Sequence, residues 1–231
     1  MRYILTDIEG TTTSVNFVTN TLFPYFKQHV LDYTRKNLGE PAVVHTLKEV
    51  QRSVWKEESR LITSEEAVEK LIEWTDLDRK HFALKALQGM VWRQGYERHA
   101  LAGHVYDDVV PALKNWMKDG VAVGIYSSGS VDAQKLLFRY SVFGDLTPYF
   151  SHYFDTAIGH KREYSSYLNI ERIVNIPAAD ILFLSDTEAE LDAAQVAGFS
   201  TMRLTRSGTS IGSRHFAVDD FSKIIFNKIS S

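Results

Sequence analysis

Two carboxylates, Asp7 and Glu9, stand two positions apart near the start of the chain. They follow a short apolar stretch that begins at Tyr3. Side chains two apart in an extended segment lie on the same face, where two carboxylates repel each other unless a cation neutralises them. The Gly-Thr-Thr that comes next offers backbone amides and hydroxyls to an anion. The pattern therefore predicts a metal site beside an anion site, and an acidic turn after a strand is the alternative interpretation.

Hydroxyl and carboxylate side chains also follow two later apolar runs. Ser127 and Ser128 come directly after the run from Val121 to Tyr126, and Asp186 comes after the run from Ile181 to Ser185. A serine-rich turn at a helix N-terminus can bind an anion through its free amides. Serine and aspartate are also common helix caps, which would explain the same residues without a binding site. Each position by itself is therefore consistent with either role.

Lys161 follows a third apolar segment, which lies near His152 to Asp155. A lone lysine is usually a solvent-exposed surface residue. The carboxyl ends of parallel strands form one ligand-binding edge, however, and a cation at this point in the series would face the same cleft as the acids. Carboxylates around a hard divalent ion, with a lysine and hydroxyl donors, form a site for phosphoryl transfer. Magnesium would screen the phosphate charge and allow a carboxylate to attack phosphorus.

Strands and helices that alternate along the chain must position these residues. Repeated strand-helix units predict an α/β fold, a doubly wound parallel sheet of the Rossmann-like kind with right-handed crossovers. The predicted strands cover residues 3–6, 121–126, 152–155, 181–186 and 200–204. The predicted helices between them cover residues 109–118, 131–140, 164–174 and 188–197. We expect a loop from Ser207 to Arg214.

From Asn16 to Ala100 the apolar residues recur at helical spacing, which predicts an inserted helical domain. Within it, the Thr-x-x-Glu sequence from Thr63 to Glu66 is a capping box, and the last helix is expected from Asp78 to Trp92. Residues 1–15 and 101–231 are thus predicted to form the catalytic core, with residues 16–100 as a separate helical domain.

Composition and net charge limit the classes of molecule that this chain could bind. The 231-residue chain carries a net charge of -3 and has a 44% hydrophobic content, so it can bury a large core but offers no basic surface for nucleic acid or an anionic membrane. It contains no apolar stretch long enough for export or membrane spanning, which makes the cytoplasm the default location. Zero cysteines exclude thiolate chemistry. We expect a monomer that acts on a small molecule.

Taken in order, the motifs resemble the haloacid dehalogenase superfamily of aspartyl-phosphate phosphohydrolases. More narrowly, the chain looks like the enolase-phosphatase family of methionine salvage, because Glu9 stands where most of the superfamily has aspartate. At the end of the core, Arg206-Ser207-Gly208-Thr209 departs from the more usual Arg-Pro-Gly-Asn. The motifs that carry the resemblance are Asp-x-Glu-Gly-Thr from Asp7, Ser-Ser-Gly-Ser from Ser127, Lys-x-Glu-x-x-Ser-Tyr from Lys161 and Ser-Asp at Ser185.

The resemblance implies roles for the candidate residues. Asp7 is expected to be the nucleophile that forms an aspartyl-phosphate and to bind Mg²⁺ through its other oxygen. Glu9 is expected near the metal, placed for general acid and base work. Asp186 is expected to be a further metal ligand, and Lys161 to pair with both the phosphate and the nucleophile.

The resemblance also implies a substrate. Ser127, Ser128 and Lys161 would hold the phosphate of 2,3-diketo-5-methylthiopentyl-1-phosphate, which the family first enolises and then dephosphorylates to an acireductone. The inserted helical domain is expected to be a cap that closes over the methylthio tail and excludes water. Enolisation also needs a base, for which Glu9 is one candidate.

Two alternatives are weighed against this function. The first is another capped sugar-phosphate or phosphoglycolate phosphatase, or a phosphomutase, of the same superfamily. Glu9 argues against it, since one more methylene moves the acid within a preorganised site. The second is a non-enzymatic aspartyl-phosphate switch that changes its binding to a partner. The large helical insertion after the first strand and the acid beside the acceptor fit hydrolysis better.

Overall fold

The fold described here is a computed structural model, which describes residues 1–206 and 214–224. Most of the loop predicted from Ser207 to Arg214, and the departure at residues 207–209, lie outside the described residues. Within them, a single sheet has the order β3-β2-β1-β4-β5-β6, and each neighbouring pair is parallel. The predicted α/β class with a doubly wound parallel sheet is confirmed. The strands are β1 (Tyr3–Thr6), β2 (Ala122–Tyr126), β3 (His152–Phe154), β4 (Ile181–Ser185), β5 (Ser200–Leu204) and β6 (Ala217–Val218).

The first strand, β1, lies in the middle of the sheet, between β2 and β4. Its four residues are all buried, as expected for a parallel strand that helices cover on both faces. Successive strands run outward from β1 through β2 to β3 on one side, and from β4 to β6 on the other. The strand order therefore reverses between β1 and β4, which is the place where open parallel sheets bind their ligands.

Helices connect these strands close to the predicted positions. The strand β6 was not predicted, because its two residues are too few to show a periodic pattern. The connecting helices are α6 (Val109–Lys118), α7 (Val131–Arg139), α8 (Tyr164–Val174) and α9 (Glu188–Val196).

A second group of helices lies between β1 and α6 in the sequence. Its capping box is present: the Thr63 hydroxyl accepts from Glu66 N at 3.2 Å, and the Glu66 carboxylate accepts from Thr63 N at 2.7 Å. Helices of this group pack on one another, α2 on α4 and α5, and α3 on α4 and α5. The helices are α1 (Val15–Phe17), a π-helical turn (Val18–Leu22), α2 (Phe23–Lys36), α3 (Pro41–Glu58), α4 (Ser64–Asp76) and α5 (Phe82–Glu97).

Helix α5 corrects the prediction of a helix from Asp78 to Trp92. Asp78 has a φ of 48°, a left-handed conformation that cannot open a right-handed helix. His81 instead caps α5, because its ring accepts a hydrogen bond from Ala83 N at 3.2 Å. The apolar spacing detected the helix but could not locate its start, which the side-chain cap determines.

The chain divides into two compact units, one of Met1–Val15 with Ala102–Ser231 and one of Asn16–Leu101. Leu101 belongs to the helical unit, one residue beyond the boundary expected from the sequence. Its backbone N–H donates to the Gly95 carbonyl at 3.2 Å, which ties it to the end of α5. In the described part of the chain, no helix has the length and apolar character needed to cross a membrane.

Candidate active site

Asp7 follows the carboxyl end of β1 at the centre of the sheet. Thr6 lies in register with Ile125 on β2 and Leu184 on β4, and Asp7 N donates to the Leu184 carbonyl at 2.9 Å. The Asp7 carboxylate is therefore fixed at the point where the strand order reverses. Only 6% of the residue is exposed, so its environment is set by neighbouring side chains more than by solvent.

The turn after Asp7 is tighter than the extended segment expected from the sequence. Backbone N–H groups of Thr11, Thr12 and Thr13 converge on the Ile8 carbonyl at 3.2, 3.0 and 2.9 Å. Because β1 ends at Thr6, Glu9 lies in this turn and not on the strand. The strand alternation that placed both carboxylates on one face does not apply beyond Thr6.

Gly10 lies in the same turn with a φ of 72°, a left-handed conformation that glycine adopts without strain. A β-carbon at this position would overlap the carboxylate of Asp186. The missing side chain lets Asp186, which follows β4, come directly against the turn after Asp7. Two carboxylates that are far apart in sequence are thus brought to one place.

Lys161 is buried beside Asp7 and is only 6% exposed, unlike an ordinary surface lysine. Its Nζ lies 2.7 Å from Asp7 Oδ1 and 2.6 Å from Glu190 Oε2. Glu190 is itself held by the Ser185 hydroxyl, which donates to Oε2 at 3.0 Å. The structure thus brings the predicted nucleophile and the predicted cation into direct contact, with a second acid that sequence reasoning did not assign.

Charges in this cluster are unbalanced. Burial raises the pKa of the Asp7 carboxyl well above its ordinary value, the nearby charge of Lys161 lowers it, and the charges of Glu190 and Asp186 raise it further. Burial disfavours the Lys161 ammonium, but the Asp7 and Glu190 charges outweigh burial and raise its pKa. Burial likewise raises the pKa of Asp186. Among the described side chains interacting around Asp7, three carboxylates share a single ammonium, so the cluster attracts further positive charge.

That excess of negative charge is the chemistry expected of a divalent-cation site. Within residues 1–206 and 214–224, no group of three or more acidic, histidine or cysteine side chains could chelate an ion without help. Mg²⁺ does not require one, because it commonly binds one or two carboxylates and keeps several waters or takes substrate phosphate oxygens. Asp7 and Asp186 supply hard oxygen donors of the right charge, so the residues present fit such an ion.

Ser127 begins the turn after β2 and is buried at the same edge of the sheet as Asp7, where its N–H donates to the Phe154 carbonyl at 3.1 Å. The alternative role of this serine turn, helix capping, is filled by Ser130, whose hydroxyl accepts from Ala133 N at 3.3 Å. The Ser127 hydroxyl accepts from Gly129 N at 3.2 Å within the turn. Ser128, which follows, is part-buried.

Asp186 is not the N-cap residue of α9, which is Thr187. One of the Asp186 carboxylate oxygens instead accepts from the Thr187 hydroxyl at 3.0 Å. The backbone carbonyl of Asp186 accepts from Arg203 Nε at 3.1 Å. These contacts anchor the residue, and its carboxylate lies against Gly10.

Glu190 is the contact that sequence reasoning missed. It lies on α9, four residues after Asp186, so both acids are near the N-terminus of one helix. That spacing was visible as the run Asp-Thr-Glu-Ala-Glu, but acids in the first helical turn are also favoured by the helix dipole alone. Their tertiary contacts distinguish the two acids, since Glu190 contacts Lys161 and the Ser185 hydroxyl whereas Glu188 pairs with Arg203.

Replacing Glu190 with glutamine is expected to lower the turnover number by about 10- to 100-fold, the usual effect of removing a supporting partner of a site residue. The amide keeps the shape of the side chain but removes one of the two charges that hold Lys161. Steady-state phosphate release is the measurement. Glu188→Gln is the matched control, since Glu188 is on the same helix and pairs with Arg203 at 3.0 Å. Equal losses in both variants would contradict a specific role for Glu190.

Comparison with known proteins identifies the family. Residues 1–198 match the model of the haloacid dehalogenase-like hydrolases. The chain is 48% identical over 224 residues to an enolase-phosphatase E1 of Erwinia tasmaniensis, covering 97% of this chain and 96% of the relative. The chain belongs to the enolase-phosphatase E1 family of haloacid dehalogenase-like hydrolases. The resemblance inferred from its motifs is therefore confirmed.

Other members of the enolase-phosphatase E1 family are similarly close. The Picosynechococcus protein is 47% identical and covers 97% of this chain and 98% of its own length. Among solved structures, the UTR4 protein of Saccharomyces cerevisiae has a TM-score of 0.80 at 34% identity and covers 96% of this chain and 99% of its own. An L-2-haloacid dehalogenase, at 17% identity and a TM-score of 0.57, shares the fold alone. As a member of the enolase-phosphatase E1 family, this chain is a phosphatase, and the family implies a divalent metal.

Proposed function

We propose that this chain converts 2,3-diketo-5-methylthiopentyl-1-phosphate into an acireductone, by enolisation followed by dephosphorylation, in methionine salvage. The near full-length similarity to enolase-phosphatases supports the substrate. The observation that carries the chemistry is the buried Asp7–Lys161 pair, at 2.7 Å, where the strand order of the sheet reverses. A phosphorylated small molecule is its only proposed partner.

Mg²⁺ is the proposed metal, and Asp7 and Asp186 are its proposed side-chain ligands. Glu9, predicted near the metal, is assigned the proton transfers, because the described residues contain no group of three such side chains placed to hold an ion. When bound, it supplies charge that neutralises phosphate and enolate oxygens. The unbalanced negative charge of the cluster supports this assignment. Adding a chelator should stop turnover, and adding Mg²⁺ back should restore it.

In the dephosphorylation half-reaction, an Asp7 oxygen attacks phosphorus and the bond from phosphorus to the substrate oxygen breaks. The departing oxygen takes a proton from Glu9. Water then attacks phosphorus of the aspartyl-phosphate, Glu9 accepts a proton from that water, and Asp7 is regenerated with release of phosphate. Lys161, Ser127 and Ser128 hold the phosphate during both steps, since an ammonium and hydroxyl or amide donors stabilise its developing charge.

The enolisation half-reaction removes a proton from the carbon next to a carbonyl. Glu9 is our candidate base, because it lies in the turn that follows Asp7 and a carboxylate can accept such a proton when it is held close. The electron pair of the broken C–H bond becomes the carbon-carbon double bond of the enol. The carbonyl oxygen takes the negative charge or a proton.

Following both half-reactions in one assay tests the function. Purified protein with Mg²⁺ and the diketo-phosphate should release phosphate and build up enediol absorbance in the same cuvette. A panel of sugar phosphates and phosphoglycolate is the comparison. Equal turnover of those substrates would replace the specific assignment with a general capped phosphatase, and phosphate release without enediol would remove the enolase half.

Glu9→Asp is expected to lower the turnover number more than it changes KM. The substitution keeps the charge but withdraws the carboxylate by one methylene, and about 1 Å of misplacement can cost up to 10²-fold in rate. Steady-state kinetics on the diketo-phosphate make the measurement. Glu69→Asp, on the exposed face of α4, is the control for the chemical change. An unchanged turnover number in Glu9→Asp would remove Glu9 from catalysis.

The domain roles also stay part of this proposal. Residues 1–15 and 101–231 would be the catalytic core, and residues 16–100 the cap domain that encloses the substrate. A cytoplasmic location and a monomeric state are predictions from the sequence. Size-exclusion chromatography with light scattering would test the monomer.

A further inference from the structure

Three consecutive backbone carbonyls, the last of which is that of Lys161 itself, each accept a hydrogen bond from a different side-chain hydroxyl. They belong to the loop between β3 and α8, whose residues 155–163 form turns and bends in the described structure. The bonds run from Tyr126 Oη to Gly159 O at 3.0 Å, from Ser166 Oγ to His160 O at 2.8 Å and from Tyr167 Oη to Lys161 O at 2.6 Å.

The donors of these bonds are fixed in the core. Tyr126 ends β2, whereas Ser166 and Tyr167 lie in the first turn of α8, and all three residues are 0% exposed. The two tyrosine rings also contact each other edge to face, with centroids 5.7 Å apart. Such packed side chains have few alternative rotamers, so they can hold the loop that accepts their bonds.

Gly159 shows that the loop must approach α8 closely. Its φ of 138° is strained for any other residue, and a β-carbon there would overlap the Ser166 hydroxyl. The glycine therefore permits the contact that brings the carbonyls of residues 159–161 to their donors. Ser166 and Tyr167 form the end of the Lys-x-Glu-x-x-Ser-Tyr motif and have no role in the proposed function.

Because Lys161 is buried, the position of its loop backbone determines where its ammonium can lie. A lysine side chain is flexible, and here it leaves from an irregular loop to put its ammonium between Asp7 and Glu190. The Nζ atom also lies 5.7 Å from the centroid of the Tyr126 ring, within range of a cation-π contact. One tyrosine thus touches both the loop backbone and the charged end of the side chain.

We propose that Tyr126, Ser166 and Tyr167 are positioning residues that hold the backbone of residues 159–161 and so place the Lys161 ammonium against Asp7. The catalytic consequence rests on the proposed function, in which Lys161 acts on the phosphate. The placement of the ammonium does not depend on the proposed function. The placement and its catalytic consequence are therefore tested by separate measurements.

The placement is tested by the reactivity of Lys161 with acetic anhydride, measured by peptide mass spectrometry in metal-free buffer. In the parent protein Lys161 should react slowly, relative to the exposed Lys80, because it is buried and paired. Tyr167→Phe, and the double variant Tyr167→Phe with Ser166→Ala, should each speed the labelling of Lys161 by about tenfold. This corresponds to a loss of about 1.4 kcal/mol in the free energy that keeps the ammonium in its buried position.

Tyr3→Phe is the matched control. Tyr3 is also buried in the core of the sheet, but its hydroxyl forms its hydrogen bond, at 3.1 Å, with His152 Nδ1 on β3 and not with a carbonyl of residues 159–161. Melting temperatures of all variants are measured, so that loss of stability can be compared. Equal labelling of Lys161 in Tyr3→Phe and Tyr167→Phe would overturn the proposal, as would unchanged labelling in the double variant.

The catalytic consequence is tested by a double-mutant cycle with the diketo-phosphate. Tyr167→Phe should lower the turnover number by about 10- to 100-fold, as expected for a small misplacement of a site residue. In a Lys161→Ala background the same substitution should have little further effect, because the group that it positions is gone. Additive losses would contradict action through Lys161. A parent enzyme that does not turn over the diketo-phosphate would overturn the proposed function, while the labelling result would still decide the placement.

Discussion

Asp7→Asn is expected to abolish phosphate release, with a loss of at least about 10⁴-fold in the turnover number, the scale seen when a nucleophile is removed. The amide is nearly the same size as the carboxylate, so the turn after β1 and its bonds to Leu184 and Ile8 can stay in place. Its nitrogen and oxygen cannot form the acyl phosphate, however. The change also removes one of the carboxylates proposed to bind the metal.

The intermediate gives a direct measurement of this role. Quenching the parent enzyme during turnover with borohydride should reduce an acyl phosphate at Asp7 to homoserine, which peptide mass spectrometry detects. Asp145→Asn is the control, because Asp145 is exposed in the same unit and accepts from Thr147 N at 2.9 Å, a bond that the asparagine oxygen can keep. Phosphate release that persists in Asp7→Asn would show that the nucleophile is assigned to the wrong residue.

Lys161→Met should have the second largest effect, on both activity and stability. Methionine fills a similar volume without the ammonium, so Asp7 and Glu190 lose their shared counter-ion. Breaking a buried ion pair by removing one partner typically costs about 3 kcal/mol or more, because the remaining charges are left uncompensated. We expect the free energy of unfolding to fall by about 3 kcal/mol at pH 7 in metal-free buffer, and phosphate release to fall at least 10³-fold, about the scale of a lost charge-stabilising group.

The pH dependence of this loss has a definite sign. The Lys161 charge lowers the pKa values of Asp7 and Asp186, although burial keeps both above their ordinary value of 3.8, so its removal raises them further. A carboxyl whose pKa is raised by folding contributes its full stabilisation when the pH is below its pKa in the unfolded state. This stabilisation is lost as the pH rises through its pKa in the folded state. The variant should therefore be closer to the parent protein at pH 5 than at pH 7, as measured by urea unfolding.

Lys70→Met provides the matched control. Lys70 also lies between two carboxylates, at 2.9 Å from Glu58 and 2.9 Å from Glu73, but these carboxylates are 37% and 54% exposed to solvent. Solvated pairs of this kind contribute about 1 kcal/mol or less. A similar loss of stability in both variants, or a loss in Lys161→Met that does not change between pH 5 and pH 7, would contradict the unbalanced charge inferred around Asp7.

Sequence reasoning was strongest where local periodicity and strand order decide the outcome. Buried runs such as Tyr3 to Thr6 predicted parallel strands, because apolar side chains on both faces leave few other arrangements. Parallel strands share one edge for their carboxyl ends, so the sequence predicts Asp7, Ser127 and Asp186 at the same edge of the sheet. The glutamate at position 9 pointed to the enolase-phosphatase branch of the superfamily, to which the chain belongs.

Prediction failed where individual hydrogen bonds and backbone conformations, and not hydrophobic periodicity, decide the local structure. The start of α5 depends on the His81 cap and the left-handed Asp78, and Glu9 lies in a turn because three N–H groups converge on Ile8. Neither feature changes the apolar spacing. Helix starts and turns follow from particular hydrogen bonds, and hydrophobic periodicity does not encode them.

For this chain, the sequence by itself determined the α/β class and the family, and it predicted the order of the candidate site residues along the chain. Only the tertiary structure decided that Lys161 is buried between Asp7 and Glu190, and that hydroxyls from β2 and α8 hold its loop. The physical reason is that burial and charge balance depend on contacts between residues distant in sequence. A lysine looks like a surface residue until its partners are known.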